Sequence, residues 1–239
     1  MEIKEVIFLA GGLGTRLRSA VPDLPKSMAP VAGKPFIAHL VDYFWKQGVE
    51  RFIFSLGYKH EAISSFINDN YPAIAKVYSI EAEPLGTGGA VKMALKLVTG
   101  DHVLIVNGDT FFGVNIGAIA NAHIDQEADC TICLCPKQDF DRYGVVELNE
   151  DNSVKSFREK QFYSHGLING GIYALRKAAF SKGNFPERFS FEKDYLELQA
   201  VKRDHKLFGL VQDHYFIDIG VPEDYERAQK ELLLYTGRD

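Results

Sequence analysis

Short apolar runs alternate with amphipathic helical stretches through the first half of the chain, and this alternation limits the folds open to it. The runs are short and continuous, as in strands buried on both faces, and cover residues 5–10, 51–56, 76–80 and 102–106. The stretches between them carry apolar residues at helical spacing, over residues 36–47, 60–70 and 88–98. Strands joined through helices pair in parallel, so the sequence predicts an α/β fold with a doubly wound sheet.

The second half of the chain is richer in strands. Strand-like runs cover residues 129–135, 143–149, 153–159, 168–176, 206–211 and 214–220. A helix follows over residues 222–237, with proline at its start and glycine at its end. We expect these strands to continue the same sheet in mixed orientation, with a substrate-binding lobe over it. No linker or repeat is visible, so a single domain is predicted over residues 1–239.

Composition and charge argue against several classes of protein. The chain has 46% hydrophobic and 25% charged residues, as ordinary globular proteins do. Its net charge of −5 is spread without blocks of one sign, which argues against a nucleic-acid-binding face. No apolar stretch approaches the roughly 20 residues that cross a bilayer, and the first ten residues carry acids, unlike the start of a signal peptide. We therefore expect no membrane segment and a cytoplasmic location.

Three cysteines, Cys130, Cys133 and Cys135, lie within one short run. An odd number so close together makes a poor disulfide framework. A zinc site would need a second pair of ligands, and the sequence has no matching His or Cys pair. The apolar neighbours of these cysteines favour a buried strand.

Polar, glycine-rich turns follow three of the strands predicted in the first half. They cover residues 11–16, 81–89 and 107–109. In open α/β sheets, ligands bind at the carboxyl ends of the strands. We therefore expect these three turns to line one cleft.

The first of these turns, in the stretch AGGLGTR, is suited to binding phosphate. It lacks the spacing of a P-loop, and Leu17 stands where the dinucleotide fingerprint needs its third glycine. What remains is a turn whose backbone N–H groups can surround an anion. Arg16 adds a bidentate phosphate donor and Lys26 a second cation. The alternative is a tight turn with two surface cations, and the concentration of glycines and cations favours phosphate binding.

Two carboxylates lie at the ends of apolar runs, each within two residues of a glycine. Asp109 closes the NGD turn after the fourth predicted strand, and Asp218 lies near the end of the last strand-like run. Magnesium prefers one or two carboxylates together with phosphate oxygens and water. Asp109 and Asp218 are therefore predicted to bind Mg²⁺, although Asn-Gly on its own is also a common turn.

Taken in order, these motifs resemble those of the sugar-1-phosphate nucleotidylyltransferases, and the resemblance covers nearly the whole chain. The matching stretches are GGLGTRL, PK at residues 25–26, PVAGKP, PLGTGGA, NGD, EK at residues 159–160, NGGIY and DIGVPEDY. Within this family, the chain is similar to small guanylyltransferases that act on mannose 1-phosphate or D-glycero-D-manno-heptose 1-phosphate. It departs from the family's R-L-x-P-x-T run and has RLRSAVPDLPK at residues 16–26. That departure leaves the sugar open.

The resemblance implies a Rossmann-like mixed sheet of the nucleotide-diphospho-sugar transferase type and a Mg²⁺-dependent reaction. A sugar 1-phosphate would attack the α-phosphorus of a nucleoside triphosphate and release pyrophosphate. Residues from about 1 to 112 would bind the nucleotide, those from about 113 to 239 would bind the sugar, and the family is compatible with a homo-oligomer.

The resemblance also implies roles for particular residues. Arg16 and Lys26 are implied as catalytic, and Asp109 and Asp218 as metal ligands. The implied nucleotide-binding residues are Leu9, Ala10, Gly11, Gly12, Gly14, Thr15, Glu81, Pro84, Gly86, Thr87 and Asn107. The implied sugar-phosphate-binding residues are Gly144, Glu159, Lys160 and Asn169.

The base can be argued from hydrogen-bonding chemistry. In thymidylyl and uridylyl members of the family, a glutamine ahead of a P-x-G turn pairs with the pyrimidine. Aligning that turn on Pro84 and Gly86 puts Glu81 at the position of the glutamine. An ionised glutamate only accepts hydrogen bonds, which suits the N1–H and N2–H donors of guanine. This favours GTP, with Glu83 as an alternative residue to contact the base.

Other functions stay open on the sequence alone. A thymidylyl- or uridylyltransferase acting on glucose 1-phosphate would share these motifs. A metal-dependent glycosyltransferase would keep the carboxylates and would not need the glycine-rich turn with Arg16. A regulatory paralogue would bind a nucleotide sugar without catalysis, and we would expect it to have lost a carboxylate or cation that this chain retains.

Overall fold

The computed structural model describes residues 2–12, 24–202 and 206–236. Its strands are β1 (Glu5–Leu9), β2 (Pro30–Val31), β3 (Lys34–Pro35), β4 (Arg51–Leu56), β5 (Ala75–Ile80), β6 (His102–Asn107), β7 (Thr110–Phe112), β8 (Cys130–Phe140), β9 (Val145–Leu148), β10 (Val154–Arg158), β11 (Tyr163–Arg176), β12 (Leu207–Val211) and β13 (Phe216–Asp218). Its α-helices are α1 (Phe36–Lys46), α2 (His60–Asn70), α3 (Gly86–Ala94), α4 (Ile116–Asp125), α5 (Lys177–Ser181), α6 (Leu198–Ala200) and α7 (Pro222–Thr236). There are also 3₁₀ turns at Lys26–Met28 and Leu95–Leu97 and a π-helix at Phe191–Glu197.

The four long strands of the first half form the parallel core that the sequence predicts. They lie side by side in the order β5, β4, β1, β6, with Phe8 of β1 opposite Phe54 of β4 and Val106 of β6. The chain thus moves outward from β1 to β5 and then returns to add β6 on the other side of β1. Such a reversal opens a crevice at the carboxyl ends of the two strands that flank it. The topology therefore directs a ligand to the ends of β1 and β6.

Later strands extend the sheet in mixed orientation, as predicted. β11 pairs antiparallel with β6, and β8 and β9 pair antiparallel with β11. β12 is parallel to β8, and β10 is antiparallel to β9. The pairing of β11 with β8 shifts register between Asn169 and Tyr173, and Gly171 in this interval has φ of +71°. A Cβ at Gly171 would lie 2.8 Å from the side-chain Nδ2 of Asn107, so glycine lets β11 approach the end of β6.

One run predicted to join the central sheet lies elsewhere. The stretch at residues 214–220 is a strand only over Phe216–Asp218, and it pairs antiparallel with β7 in a separate two-stranded sheet. This pairing sets Asp218 opposite Thr110, the residue after Asp109. The chain then turns because the Asp218 carboxylate accepts the N–H of Gly220 at 2.7 Å. The small sheet thus brings the two predicted metal ligands together.

Helices cover both faces of the sheet, which confirms the doubly wound architecture. Ile7 and Phe8 are neighbours on β1 and point to opposite faces. On the side of Phe8, α1, α2, α4 and α7 pack over aromatic rings, with the ring centroid of Phe8 5.6 Å from Phe44 and 5.7 Å from Phe54. On the side of Ile7, α3, α5 and the π-helix pack against the sheet. In the described ranges, no helix combines the length and apolar character needed to cross a membrane.

The three cysteines lie in β8, where all are buried and none forms a disulfide. The predicted buried strand is therefore confirmed. Burial raises the pKa of Cys135 to about 11, which keeps its thiol protonated and unreactive at neutral pH.

A buried carboxylate ties the amino ends of the parallel strands together. Glu5 begins β1 and accepts hydrogen bonds from the Arg51 guanidinium and from the N–H groups of Thr99 (2.9 Å) and Gly100 (2.5 Å). Burial alone would raise the pKa of Glu5. The hydrogen bonds from Gly100, Arg51 and Thr99 outweigh that effect, so this pKa lies below its ordinary value.

We expect Glu5→Gln to lower the free energy of unfolding at pH 7 by about 1–3 kcal/mol, because buried donors lose a charged acceptor. A carboxyl whose pKa is lower in the folded than in the unfolded state stabilises the fold fully above about pH 4.3, its unfolded value. That contribution is lost as the pH falls through the folded pKa, so the difference between variant and wild type should shrink in acid. Urea unfolding across this pH range measures it.

The matched control is Glu50→Gln, which removes the exposed partner of Lys4 near the same end of the sheet. Exposed ion pairs contribute little to stability, so this variant should unfold nearly as the wild type does. Equal losses in the two variants would contradict the role given to Glu5.

Candidate active site

The cleft expected at the carboxyl ends of the parallel strands is present as a cavity of about 500 Å³, called here the first cavity. Its walls come from the ends of β1 and β6, the loop after β5 and the start of α3. Every described residue predicted to bind the nucleotide lines it: Leu9, Ala10, Gly11, Gly12, Glu81, Pro84, Gly86, Thr87 and Asn107. Lys26 and Asp109 also line it. The structure thus brings these residues together, and their individual roles stay predictions.

Three predicted residues of the glycine-rich turn, Gly14, Thr15 and Arg16, lie outside the described residues. Their predicted contacts with phosphate therefore stay predictions. Gly11 and Gly12, at the described start of the turn, line the first cavity.

A second cavity of about 520 Å³ adjoins the first. All four residues predicted to bind the sugar phosphate line it: Gly144, Glu159, Lys160 and Asn169. Asp218 belongs to this cavity, whereas Asn107 and Asp109 line both. The two cavities therefore meet at the end of β6, and molecules bound in them would face each other across Asp109.

Lys26 lies between the two predicted metal ligands. Its Nζ is 2.6 Å from an oxygen of Asp109 and 3.3 Å from an oxygen of Asp218. Only 11% of its side chain is exposed, so the ammonium is held in place and balances two carboxylates that would otherwise repel each other. The backbone fixes the same group, because the N–H of Ile219 donates to the carbonyl of Asp109 at 3.0 Å. Lys26, Asp109 and Asp218 are called the charged cluster below.

The charged cluster has the chemistry to hold a divalent cation that prefers oxygen. A single ammonium lies within hydrogen-bond distance of both, so the two carboxylates are close enough together to contact one cation. Within the described part of the chain, no group of three or more His, Cys, Asp and Glu side chains is placed to hold a metal ion. Two carboxylates would leave the remaining positions to phosphate oxygens and water, which is the coordination that Mg²⁺ prefers.

Of the two candidates for contact with the base, Glu81 lines the first cavity and Glu83 does not. One carboxylate oxygen of Glu81 accepts the N–H of Leu85 at 2.9 Å. The other oxygen lies against Gly11, where a Cβ would be 2.9 Å from it. Burial raises the pKa of Glu81, and the Leu85 N–H opposes this by stabilising the ionised form. Of the two candidates for contact with the base, the geometry favours Glu81.

The glycines of PLGTGGA allow close packing against the second half of the chain, which the sequence pattern does not predict. Gly86 lines the first cavity, as expected of this turn. Gly88 and Gly89 are buried, and a Cβ on them would lie 2.3 Å from the Phe189 ring and from the Glu187 carbonyl. Gly86 has φ of +71°, and a Cβ there would be 2.5 Å from the Phe189 carbonyl. These glycines dock α3 onto residues 187–189 in the second half of the chain.

Sequence reasoning missed two serines of the first cavity. Ser27 and Ser55 line it, are buried, and have hydroxyl groups with no hydrogen-bond partner among the described residues. A buried hydroxyl without a partner is costly, so both groups are available to a bound ligand. Only the position of Ser27, directly after Lys26, could have drawn attention to it.

Known proteins are similar to this chain in sequence and in fold. The family described as Nucleotidyl transferase matches residues 5–234. The D-glycero-alpha-D-manno-heptose 1-phosphate guanylyltransferase of Aneurinibacillus thermoaerophilus is 48% identical over 97% of this chain and 99% of its own, and that of Campylobacter jejuni is 46% identical over 92% and 96%. The crystal structure of HddC from Yersinia pseudotuberculosis complexed with GMP-PN is 38% identical, with a TM-score of 0.86 over 96% of this chain and 100% of that chain.

The chain therefore belongs to the nucleotidyl transferase family. The resemblance to sugar-1-phosphate nucleotidylyltransferases drawn from its motifs is confirmed. The predicted α/β fold, in which a mixed sheet has a parallel core, is confirmed as well.

Gly220 leaves no room for a side chain beside the charged cluster. A Cβ there would lie 2.8 Å from Asp218 Oδ1 and 2.9 Å from Lys26 Nζ. We expect Gly220→Ala to displace this contact and to lower the rate of nucleotidyl transfer at least ~10-fold, equivalent to about 1.4 kcal/mol. Pyrophosphate release, followed together with the thermal unfolding midpoint, separates lost activity from lost folding.

Gly113→Ala is the control for this substitution. A Cβ at Gly113 would make contacts no closer than 3.6 Å, and the residue lines neither cavity. It should keep wild-type turnover. A fully active Gly220→Ala protein would mean that the exact placement of Lys26 against Asp218 does not matter for the reaction.

Proposed function

We propose that this protein transfers the guanylyl group of GTP to a sugar 1-phosphate and releases pyrophosphate. D-glycero-D-manno-heptose 1-phosphate and mannose 1-phosphate are the proposed acceptors. The observation that carries the proposal is the meeting of two cavities at the charged cluster, which suits two phosphorylated substrates. The names of the two guanylyltransferase relatives and the GMP-PN complex of HddC support the choice of guanine and of the sugar.

The proposed reaction needs positioning more than acid–base chemistry. The phosphate of a sugar 1-phosphate is already ionised at neutral pH, so its oxygen can attack the α-phosphorus of GTP without a general base. Holding the two reactants in contact and neutralising their charge can then supply most of the rate enhancement. GTP would occupy the first cavity and the sugar phosphate the second, so that the reacting atoms meet beside Lys26.

The roles proposed for individual residues are those that the motif resemblance implies. The backbone of Gly11 and Gly12, with Arg16, would hold the triphosphate, and Lys26 would neutralise charge at the α-phosphate. Lys160 would bind the phosphate of the sugar. Gly144, Glu159 and Asn169 would contact its hydroxyls. The contacts of Lys26 with both carboxylates make its ammonium a fixed charge, which costs little reorganisation when the reaction occurs.

Asp109 and Asp218 would hold Mg²⁺, which when bound supplies positive charge to the phosphates. The pair provides oxygen ligands alone and lies on the wall that separates the two cavities. A cytoplasmic location and a homo-oligomer are parts of the proposal that rest on sequence alone.

The substrates are tested by assaying four nucleoside triphosphates against a panel of sugar 1-phosphates, with pyrophosphate release as the readout. We expect GTP with mannose or heptose 1-phosphate to give the highest kcat/KM. A preference for UTP or dTTP with glucose 1-phosphate would replace the proposal with a thymidylyl- or uridylyltransferase. Binding of nucleotide sugar with no turnover of any pair would favour a regulatory protein.

We expect Asp109→Asn to reduce turnover at least ~100-fold at saturating Mg²⁺, because an amide of the same size loses the charge that would hold the metal. Asp218→Asn should behave alike. The double variant should lose much less than the product of the two single losses, because both residues serve one site. Asp69→Asn, on the exposed face of α2, is the control and should keep full activity. Near-normal turnover of Asp109→Asn would exclude a metal-binding role for this residue.

We expect Glu81→Gln to lower the preference for GTP over UTP by roughly 5- to 150-fold, since a charged acceptor facing two guanine donors is worth about 1–3 kcal/mol. Glutamine keeps an oxygen for the Leu85 N–H, so the turn should survive the change. The measurement is the ratio of kcat/KM for the two nucleotides in competition. Glu83→Gln, at a residue outside the cavity lining, should leave the ratio unchanged. A shift in Glu83→Gln alone would transfer the role to Glu83.

A further inference from the structure

Glu192 lies on the second cavity and is already oriented by two hydroxyl groups. It sits in the first turn of the π-helix and lines the cavity. Its Oε2 accepts hydrogen bonds from Thr87 Oγ1 at 2.7 Å and from Ser190 Oγ at 3.1 Å. These two donors hold one oxygen of the carboxylate in place. The sequence pattern did not single out this residue.

Thr87 anchors the carboxylate to the other half of the molecule. Its hydroxyl accepts the N–H of Phe191 at 2.9 Å while it donates to Glu192, so both of its hydrogen-bonding functions are used. The start of α3 is held to the same segment by backbone bonds, from Gly88 N to the Phe189 carbonyl and from Phe189 N to the Leu85 carbonyl. Glu192 therefore has little freedom to move away from the wall of the second cavity.

Glu192 also lies near the residues expected to contact the sugar. Asn169 donates from Nδ2 to the hydroxyl of Tyr173 at 2.9 Å, and the Tyr173 ring packs edge-on against Phe191 with centroids 5.1 Å apart. Burial, and next the Glu192 carboxylate, raises the pKa of Tyr173 well above its ordinary value. Asn169, Tyr173 and Glu192 all line the second cavity, which therefore presents an amide, a phenol and a carboxylate.

We infer that Glu192 accepts hydrogen bonds from ring hydroxyls of the sugar through Oε1 and that it determines which sugar phosphate is used. A carboxylate only accepts hydrogen bonds, and sugar hydroxyls are its natural donors. Because Thr87 and Ser190 occupy Oε2, the other oxygen is the one left for substrate. A site built around a substrate hydroxyl discriminates strongly against an analogue that lacks it. This inference rests on the proposed sugar 1-phosphate substrate.

The test takes the better of the two proposed acceptors, D-glycero-D-manno-heptose 1-phosphate or mannose 1-phosphate, and compares it with its 2-, 3- and 4-deoxy analogues. Wild type and Glu192→Gln are assayed with GTP at saturation. In the wild type, we expect at least one analogue to lose ~100-fold or more in kcat/KM. In the variant, that discrimination should fall at least ~10-fold, because the parent sugar loses an interaction that the analogue never made. The KM for GTP should stay within about 3-fold of its wild-type value. If the role of Glu192 were purely structural, Glu192→Gln would lower kcat/KM by the same factor for every sugar phosphate.

Asp194→Asn is the matched control. Asp194 belongs to the same π-helix, accepts the N–H of Ser190 at 2.7 Å and lines neither cavity. It should keep wild-type discrimination. Glu192→Asp is the second variant, used if Glu192→Gln does not fold, and it should also reduce discrimination because the carboxylate is drawn back by one methylene group.

Two results would overturn the inference in different ways. Unchanged discrimination among the deoxy analogues in the Glu192 variants, with an active wild type, would exclude Glu192 as a specificity residue and leave the proposed function intact. Absence of wild-type pyrophosphate release with every sugar 1-phosphate would overturn the proposed function and this inference together.

Discussion

The contact of Lys26 with Asp109 and Asp218 is the interaction on which the arrangement of the site depends. Two carboxylates directed at one point repel each other unless a cation lies between them, and the Lys26 ammonium supplies that charge. Asp109 lines both cavities and Lys26 lines the first, so the balanced charges form part of the wall where the cavities meet. Displacing any one of the three would alter both cavities at their common boundary.

Strand order and strand pairing, and no local sequence motif, bring these three charged residues together. The reversal of strand order at β1 directs the crevice to the ends of β1 and β6, where Asp109 follows. The pairing of β13 with β7 then brings Asp218 beside it. Docking of the α3 glycines onto residues 187–189 holds the second half of the chain against the first. Close backbone packing thus fixes the position of the two cavities relative to each other. Phosphoryl-transfer chemistry requires this kind of positioning.

The parallel core, the cleft at its carboxyl ends and most of the lining of the first cavity could be predicted, because buried strands leave continuous apolar runs and ligand turns leave glycines. The contacts of Lys26 could not, since its partners lie 83 and 192 residues away and no local pattern encodes such a separation. The pairing of β13 outside the central sheet could not be predicted either, because a three-residue strand shows no distinctive periodicity. Glu192 was missed for a related reason: it lies in a π-helix, whose spacing differs from the 3.6-residue pattern used to find helices.

The most direct test of this account is a crystal structure of the protein with its nucleotide-sugar product and Mn²⁺ in place of Mg²⁺, in which anomalous scattering locates the metal. The account predicts a peak that contacts carboxylate oxygens of both Asp109 and Asp218, with the product's diphosphate beside it. The base should lie in the first cavity near Glu81 and the sugar in the second near Asn169. A metal bound elsewhere, or a product lying wholly within one cavity, would contradict the claim that the two cavities meet at the reaction centre.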